Sequence, residues 1–295
     1  MGGTRGVPVA GGTMSESQAL EADLAADDLV APPKSVWQRF ESTILGTSTI
    51  VVLLIVWEFL PRLMTLSAGT KLFFTTPSQI GGTLWKMFAT GSIWAPLSVS
   101  ASGFAVGLGL AIVVGLPLGV LIGRSRTLNA MFDPFITAFN ATPRLVFLPL
   151  LMLWFGLGLW SKVVIVFIGA LFPILINTYE GVRNSDKLLI NVVRSFGAKE
   201  WDVARLVVVP NAMPYIIAGL RLSIGRAVLG VVVAEFFGSE GGLGVMMVQA
   251  AGRYQVDIVF SGLIIFAVMT LAMTAAVQVL ENRLGRWRPQ RAGGE

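Results

Sequence analysis

Six long apolar stretches dominate the pattern of hydrophobic and polar positions along this chain. A helix needs about 20 mostly apolar residues to cross the hydrocarbon core of a bilayer, and each stretch is close to that length. We therefore predict an all-α membrane protein with six transmembrane helices, at residues 44–64, 97–123, 134–156, 161–180, 213–237 and 257–281. The third stretch contains Pro143 and Pro149, so we expect a kink or a break within it.

The segment 187–214, between the fourth and fifth predicted spans, is charged but keeps a helical pattern. Apolar residues recur there at the spacing of one helix face: Leu189, Val192, Val193 and Phe196. Gly197 follows at a position suited to end a helix, and residues 199–207 can form a second short helix that carries Trp201. The pattern predicts a compact helix–glycine–helix unit; the alternative is an interfacial loop that merely connects two spans.

Composition agrees with a membrane protein and disfavours an enzyme. The chain is 54% hydrophobic and only 13% charged, with a mean hydropathy of +0.74. It contains no histidine, the commonest acid–base group and metal ligand, and no cysteine for disulfides or thiolate metal sites. The net charge of +5 is explained by Lys and Arg on cytoplasmic segments rather than by nucleic-acid binding.

The distribution of cations predicts the orientation in the membrane. With both termini in the cytoplasm, the inside segments hold 14 Lys and Arg residues and the outside segments hold 5, Lys162 among them. This bias follows the positive-inside rule, so we expect six spans with residues 187–214 facing the cytoplasm. A short amphipathic helix at residues 77–91 is expected at the outer surface.

The domain organisation follows from the same pattern. Residues 1–40 are polar and partly acidic, which predicts a disordered cytoplasmic tail. Residues 41–285 form the predicted transmembrane domain, with its core at 95–282, and residues 286–295 form a cytoplasmic C-terminal tail.

Charged residues within predicted spans are costly and therefore mark either function or structural pairing. Arg144 and Arg226 are candidates for a translocation path, where a cation helps an oxyanion to cross; the alternative is a structural pair with a neighbouring helix. Glu235 lies near the outer end of the fifth span. Gly241 and Gly242 follow it in a glycine-rich segment that can line a cavity, although a flexible outer loop is also possible.

Residues 192–244, which begin with the letters VVRSFGAKEWDVARLVVVP, resemble the cytoplasmic-loop signature of permease subunits of bacterial ABC importers of the binding-protein-dependent type. The family's loop begins with Glu-Ala-Ala, continues through a glycine and ends in Ile-x-Leu-Pro. Gly197 matches the glycine, and Val207, Val209 and Pro210 match the end. The wider pattern most resembles the nitrate, sulfonate, taurine and bicarbonate branch.

The resemblance extends to further segments and has one departure. The segments TPRLVFLPLLMLWFGLG (142–158) and AEFFGSEGGLG (234–244) also match, and the resemblance covers residues 75–282. Asn191, followed by two valines, stands where the family has Glu-Ala-Ala, which leaves any role of that glutamate in doubt.

The resemblance implies a type I ABC importer permease fold. The family's subunit is non-catalytic, pairs with a second permease copy, and receives solute from a periplasmic binding protein. Its loop docks on a cytoplasmic ATPase that uses ATP and Mg. The implied docking residues are Leu189, Val192, Val193, Arg194, Phe196, Gly197, Ala198, Trp201 and Pro210.

The chain lacks the G-x-x-x-x-G-K-[ST] loop that cradles nucleotide phosphates, so ATP hydrolysis is expected in a separate polypeptide. Two other functions are alternatives. A self-contained secondary transporter or channel would normally show paired repeats, and none is visible. A membrane-embedded enzyme is disfavoured by the absence of His and Cys and by the lack of paired carboxylates within the spans. The resemblance implies an inner-membrane path for a small, anionic solute such as a sulfonate, taurine or nitrate, and the sequence does not identify which.

Overall fold

The structure is a computed structural model that describes residues 36–63 and 73–284. Every regular element in these ranges is helical. The α-helices are α1 Val36–Leu63, α2 Pro77–Ala89, α3 Trp94–Arg124, α4 Arg126–Ala141, α5 Leu148–Phe155, α6 Leu159–Arg183, α7 Lys187–Ser195, α8 Glu200–Val203, α9 Val209–Phe236, α10 Leu243–Gly252 and α11 Val256–Leu284. The predicted tail 286–295 and residues 1–35 of the predicted N-terminal tail lie outside the described residues.

The chain divides into two units, residues 1–60 and 61–295. Helix α1 supplies the described part of the first unit. Its apolar stretch Ile44–Leu63 has no buried residues, and it is apolar on all sides. A helix of this kind requires lipid or another protein around it, as the first predicted span does.

Helices α3 and α6 pack side by side in the same direction. Gly107 of α3 lies against Val166 of α6, where a Cβ on the glycine would be only 2.6 Å from the valine Cβ. Gly119 approaches Thr178 equally closely, at the same offset along both helices. Small residues at every fourth position of α3 therefore allow the two backbones to approach closely.

Because α3 and α6 run in the same direction, the chain must pass back along the bundle after the end of α3 and before the start of α6. Gly103 and Gly123 of α3 are separated by about 30 Å along the helix axis, at 1.5 Å per residue. The segment 125–158 must cover that distance in reverse, which is the role predicted for the third span. That span is not one helix, however, and five helices of the described chain, not six, are long and apolar enough to cross a membrane individually.

The break in the third span has a local cause. Thr142 precedes Pro143 and has an extended backbone, with ψ of 132°, because a proline ring clashes with a helical residue before it. Helix α4 therefore ends at Ala141, a short 3-10 turn follows at Arg144–Phe147, and α5 completes the return. The predicted kink or break is confirmed: residues 134–156 are divided among α4, the 3-10 turn and α5.

Helix α9 runs antiparallel to α6 and completes the central layer. Gly219 lies close to Pro173, where a Cβ would be 2.9 Å from the proline carbonyl oxygen, and Gly181 lies against Tyr215. Helices α10 and α11 pack against α9, and α11 also contacts α2. The C-terminal ends of α3 and α6 lie at one end of the bundle, which we call the knob end because residues 187–208 follow α6 there. The opposite end, where residues 238–242 follow α9, is the loop end.

The second short helix predicted at 199–207 is continuous with the fifth span rather than separate from it. Helix α8 enters a π-turn at Ala204–Val208 and then α9, giving one helical run from Glu200 to Phe236. Within the π-turn, the amide of Val209 donates to the carbonyl of Ala204. A widened turn accommodates Pro210, which has no N–H and would crowd the carbonyl one normal turn earlier.

Candidate functional site

The knob, residues 187–208, has well-defined ends on its first helix. Asp186 begins α7 by accepting a hydrogen bond at Oδ1 from the amide of Leu188, at 2.7 Å. Gly197 ends it with a φ of +80°, a conformation that side chains with a Cβ rarely adopt. The Gly197 amide donates to Arg194 O and the Ala198 amide to Val193 O, the hydrogen-bond pattern of a Schellman motif.

The predicted apolar face of α7 is divided between the protein interior and the surface. Val193 packs against a buried cluster that includes Val182 and Val203. Phe196, which directly follows α7, is 87% exposed, and Trp201 of α8 is 74% exposed. On α7 itself, the exposed apolar side chains are Leu188, Leu189 and Val192. The knob is thus held to the bundle by one face and presents uncovered apolar and aromatic side chains on the other.

Glu200, the first residue of α8, joins the knob to the end of α3. Its side chain accepts from Arg194 of α7, with Nη2 2.9 Å from Oε1, and also forms an ion pair with Arg124. Arg124 additionally donates to the Glu200 carbonyl oxygen at 3.1 Å. Sequence reasoning missed this connection, because Arg124 and Glu200 are far apart in the chain and no local pattern pairs them.

At the loop end, a buried ion pair joins α6 to α9. Lys162 and Glu235 are each 1% exposed, and Lys162 Nζ lies 3.1 Å from Glu235 Oε1. Ser100 of α3 donates to both carboxylate oxygens of Glu235, at 2.8 and 2.9 Å. Lys162 is among the cations counted with the outside segments, and its side chain is buried inside the bundle at this end rather than exposed on the surface.

The same cluster holds the glycine loop, residues 238–242. Lys162 Nζ donates to the carbonyl of Gly241 at 2.5 Å, and the amide of Gly244 donates to Glu235 Oε2 at 2.7 Å. Gly242 has a φ of +128°, and a Cβ there would be 2.0 Å from Glu235 Oε1. The loop can therefore approach the carboxylate only because residue 242 is a glycine.

Residues 115–286 match the family model described as "Binding-protein-dependent transport system inner membrane component". The match covers more than half of the chain and includes the knob, the buried ion pair and the glycine loop. The chain belongs to this family.

Curated permeases are similar to the chain over most of its length. The putative aliphatic sulfonates transport permease protein SsuC of Bacillus subtilis is 36% identical over 237 residues, 80% of this chain and 85% of that protein. The taurine transport system permease protein TauC of Escherichia coli is 30% identical over 257 residues, 85% of this chain and 92% of that protein.

A solved structure shares the fold of the permease. A chain of the inward-facing MetNI methionine ABC transporter matches with a TM-score of 0.57 and 20% sequence identity, covering 64% of this chain and 94% of that chain. This similarity supports the type I ABC importer permease architecture.

The two arginines predicted for a translocation path lie outside the cluster at the loop end. Arg226 is exposed on α9 of this permease, and its Nη1 donates to Asn140 Oδ1 of α4 at 3.3 Å. No carboxylate pairs with Arg226 among residues 36–63 and 73–284. The backbone of Arg144 begins the 3-10 turn between α4 and α5. Of the five predicted path residues, the structure brings together Glu235, Gly241 and Gly242.

Proposed function

We propose that this permease forms the translocation path of an ATP-driven importer for a small oxyanion such as an alkanesulfonate or taurine. The names of the similar SsuC and TauC proteins support this class of solute. The charge of Arg226, which has a neutral partner in Asn140, supports an anionic rather than a cationic solute.

The knob is the surface on which a separate cytoplasmic ATPase docks. The observation that carries this proposal is the exposure of Phe196 and Trp201 on a unit fixed to the bundle. Aromatic side chains at the centre of an interface contribute much of its binding energy. Ion pairs from Glu200 to Arg124 and Arg194 connect the docked surface to α3, so movement of the ATPase reaches the spans. ATP and Mg are bound by that partner.

The orientation and the remaining partners follow from this arrangement. The knob end and both termini face the cytoplasm, in agreement with the positive-inside bias of the loops. The loop end then faces outward, where a periplasmic binding protein delivers the solute; the family's description as a binding-protein-dependent transport system supports such a partner. Arg226 and Leu229 lie on an exposed strip of α9, which a second copy of the permease covers in a homodimer.

The glycine loop, with Gly241 and Gly242, closes the outer end of the path. The hydrogen bond from Lys162 to the loop at Gly241, and the bond from Gly244 at the start of α10 to Glu235, connect the position of the loop to the packing of α6 against α9. A change in that packing during transport would displace the loop. Arg226 and Arg144 lie along the path between this closure and the cytoplasm.

Reconstitution tests the docking proposal directly. The permease is co-expressed with its cognate ATPase, and co-purification is measured together with ATP-dependent uptake of labelled taurine into proteoliposomes. We expect Phe196→Ala with Trp201→Ala to abolish both. Trp85→Ala with Phe88→Ala is the matched control, because it removes exposed aromatic side chains from α2 and leaves the knob intact. Uptake that persists without any ATPase would instead support a self-contained transporter.

A further inference from the structure

A large cleft opens at the knob end, separate from the exposed apolar face of the knob. Its volume is about 820 Å³, within the range of ligand-binding clefts. It lies between two junctions: the one where α3 passes into α4 at Ser125, and the one where α6 passes into α7 at Asn184 and Ser185. Residues of these four helices, and of α8, therefore line one space.

Cationic side chains predominate around this basic cleft. They are Arg124, Arg126, Arg183, Lys187 and Arg194, against the two carboxylates Asp133 and Glu200. Glu200 already bridges two of these cations, Arg124 and Arg194. No carboxylate lies within ion-pairing distance of the other three in the described part of the chain. The lining thus carries three positive charges in excess.

The floor of the basic cleft differs from its rim. Val182, Val203 and Val208 belong to a buried apolar cluster and close its base. Gly123 lets α3 approach Val182 there, since a Cβ on the glycine would be 2.7 Å from the valine Cβ. A cationic rim above an apolar floor suits a ligand in which an oxyanion is bonded to a partly apolar group better than it suits a small inorganic anion.

We propose that the basic cleft binds a phosphate ester through Arg126, Arg183 and Lys187. Bound there, the phosphate joins the start of α4 to the start of α7 and so stabilises the position of the knob relative to α3 and α6. The headgroup of an anionic phospholipid and a soluble phosphate ester share this chemistry. The site is distinct from the transported solute's path and from the docking face of Phe196 and Trp201.

Thermal unfolding of the purified full-length permease tests the proposal. One arm uses neutral detergent with glycerol 3-phosphate or inorganic phosphate, against sodium chloride at equal ionic strength. The other arm uses nanodiscs of phosphatidylcholine with and without phosphatidylglycerol. We expect a saturable rise in melting temperature of at least about 2 °C in one arm. Arg126→Gln, Arg183→Gln and Lys187→Gln together should weaken the apparent affinity at least about tenfold.

The control variant is Lys199→Gln, Arg205→Gln and Arg283→Gln, which loses the same charge at the same end of the bundle without touching the cleft lining. It should retain the full response. A response to phosphatidylglycerol alone assigns the site to a lipid headgroup, and a response to glycerol 3-phosphate that exceeds the response to inorganic phosphate assigns it to a free ester. Equal responses in the wild type and the cleft variant, including no response in either of them, overturn the proposal.

Discussion

Lys162 Nζ lies 3.1 Å from Glu235 Oε1 at a site where both residues are 1% exposed. Removing one partner of such a pair leaves an uncompensated buried charge, which costs about 3–5 kcal/mol. We therefore expect Lys162→Met to lower the melting temperature of the purified permease sharply. The measurement is the loss of monodisperse protein on heating in detergent.

The double variant Lys162→Met with Glu235→Leu separates charge from packing. Replacing both partners with apolar residues of similar volume is often neutral, so much of the lost stability should return. Lys86→Met, at an exposed position on α2, controls for loss of a lysine and should be nearly silent. A double variant as unstable as the single one would show that the pair is not the source of the stability.

The glycines of α3 allow a second prediction, on helix packing. A Cβ at Gly107 would lie 2.6 Å from Val166 Cβ and 2.8 Å from the carbonyl oxygen of Val163, and the backbone atom cannot rotate away. We expect Gly107→Ala to destabilise the permease by about 1–3 kcal/mol, as overpacking does. A Cβ at Gly109 would meet nothing within 4 Å outside its own helix, so Gly109→Ala should be neutral or slightly stabilising by helix propensity. Thermal unfolding of the two variants side by side decides the matter.

The left-handed turn at Gly197 allows a third prediction. Its φ of +80° disfavours a β-branched residue, although space around it is open. Gly197→Val should therefore reorient α8 relative to α7 and weaken ATPase co-purification, while the spans stay folded. Asparagine tolerates this backbone region much better, so Gly197→Asn should retain more of the co-purification. Equal behaviour of the two variants would remove backbone conformation as the cause.

A fourth prediction concerns Glu200, which is 62% exposed in its side chain and connects α8 to Arg124 and Arg194. Exposed ion pairs contribute at most about 1 kcal/mol, so Glu200→Gln should barely change the melting temperature. If these pairs transmit movement from the knob to α3, the variant should still bind the ATPase but import less solute per ATP hydrolysed. Glu240→Gln, in the glycine loop, controls for the loss of an exposed carboxylate.

The hydrophobic pattern was sufficient to predict the helical membrane fold and the return of the chain through a broken third span. It was not sufficient to place Lys162, because a lysine near the start of an apolar stretch has the pattern of an interfacial anchor. Its partner Glu235 lies on another helix, and only tertiary packing brings them together. The sequence did not predict the π-turn before Pro210 either, because this turn also depends on tertiary packing. A proline normally signals a helix boundary, and only continued packing of Val207 and Val208 shows that the helix goes on.

The last prediction tests the translocation path at Arg226. Its hydrogen bond to Asn140 at 3.3 Å is a bond to a neutral partner, so a structural role would depend on that contact and a transport role on the charge. If Arg226 contacts the oxyanion during transport, Arg226→Ala should lower ATP-dependent uptake of taurine or sulfonate about tenfold or more, because a charge-assisted hydrogen bond is lost. Arg226→Lys keeps the charge and should retain part of the uptake. Asn140→Ala removes the contact but keeps the charge. If Asn140→Ala lowers uptake as much as Arg226→Ala does, the arginine acts by holding α4 against α9 and the path proposal for this residue fails.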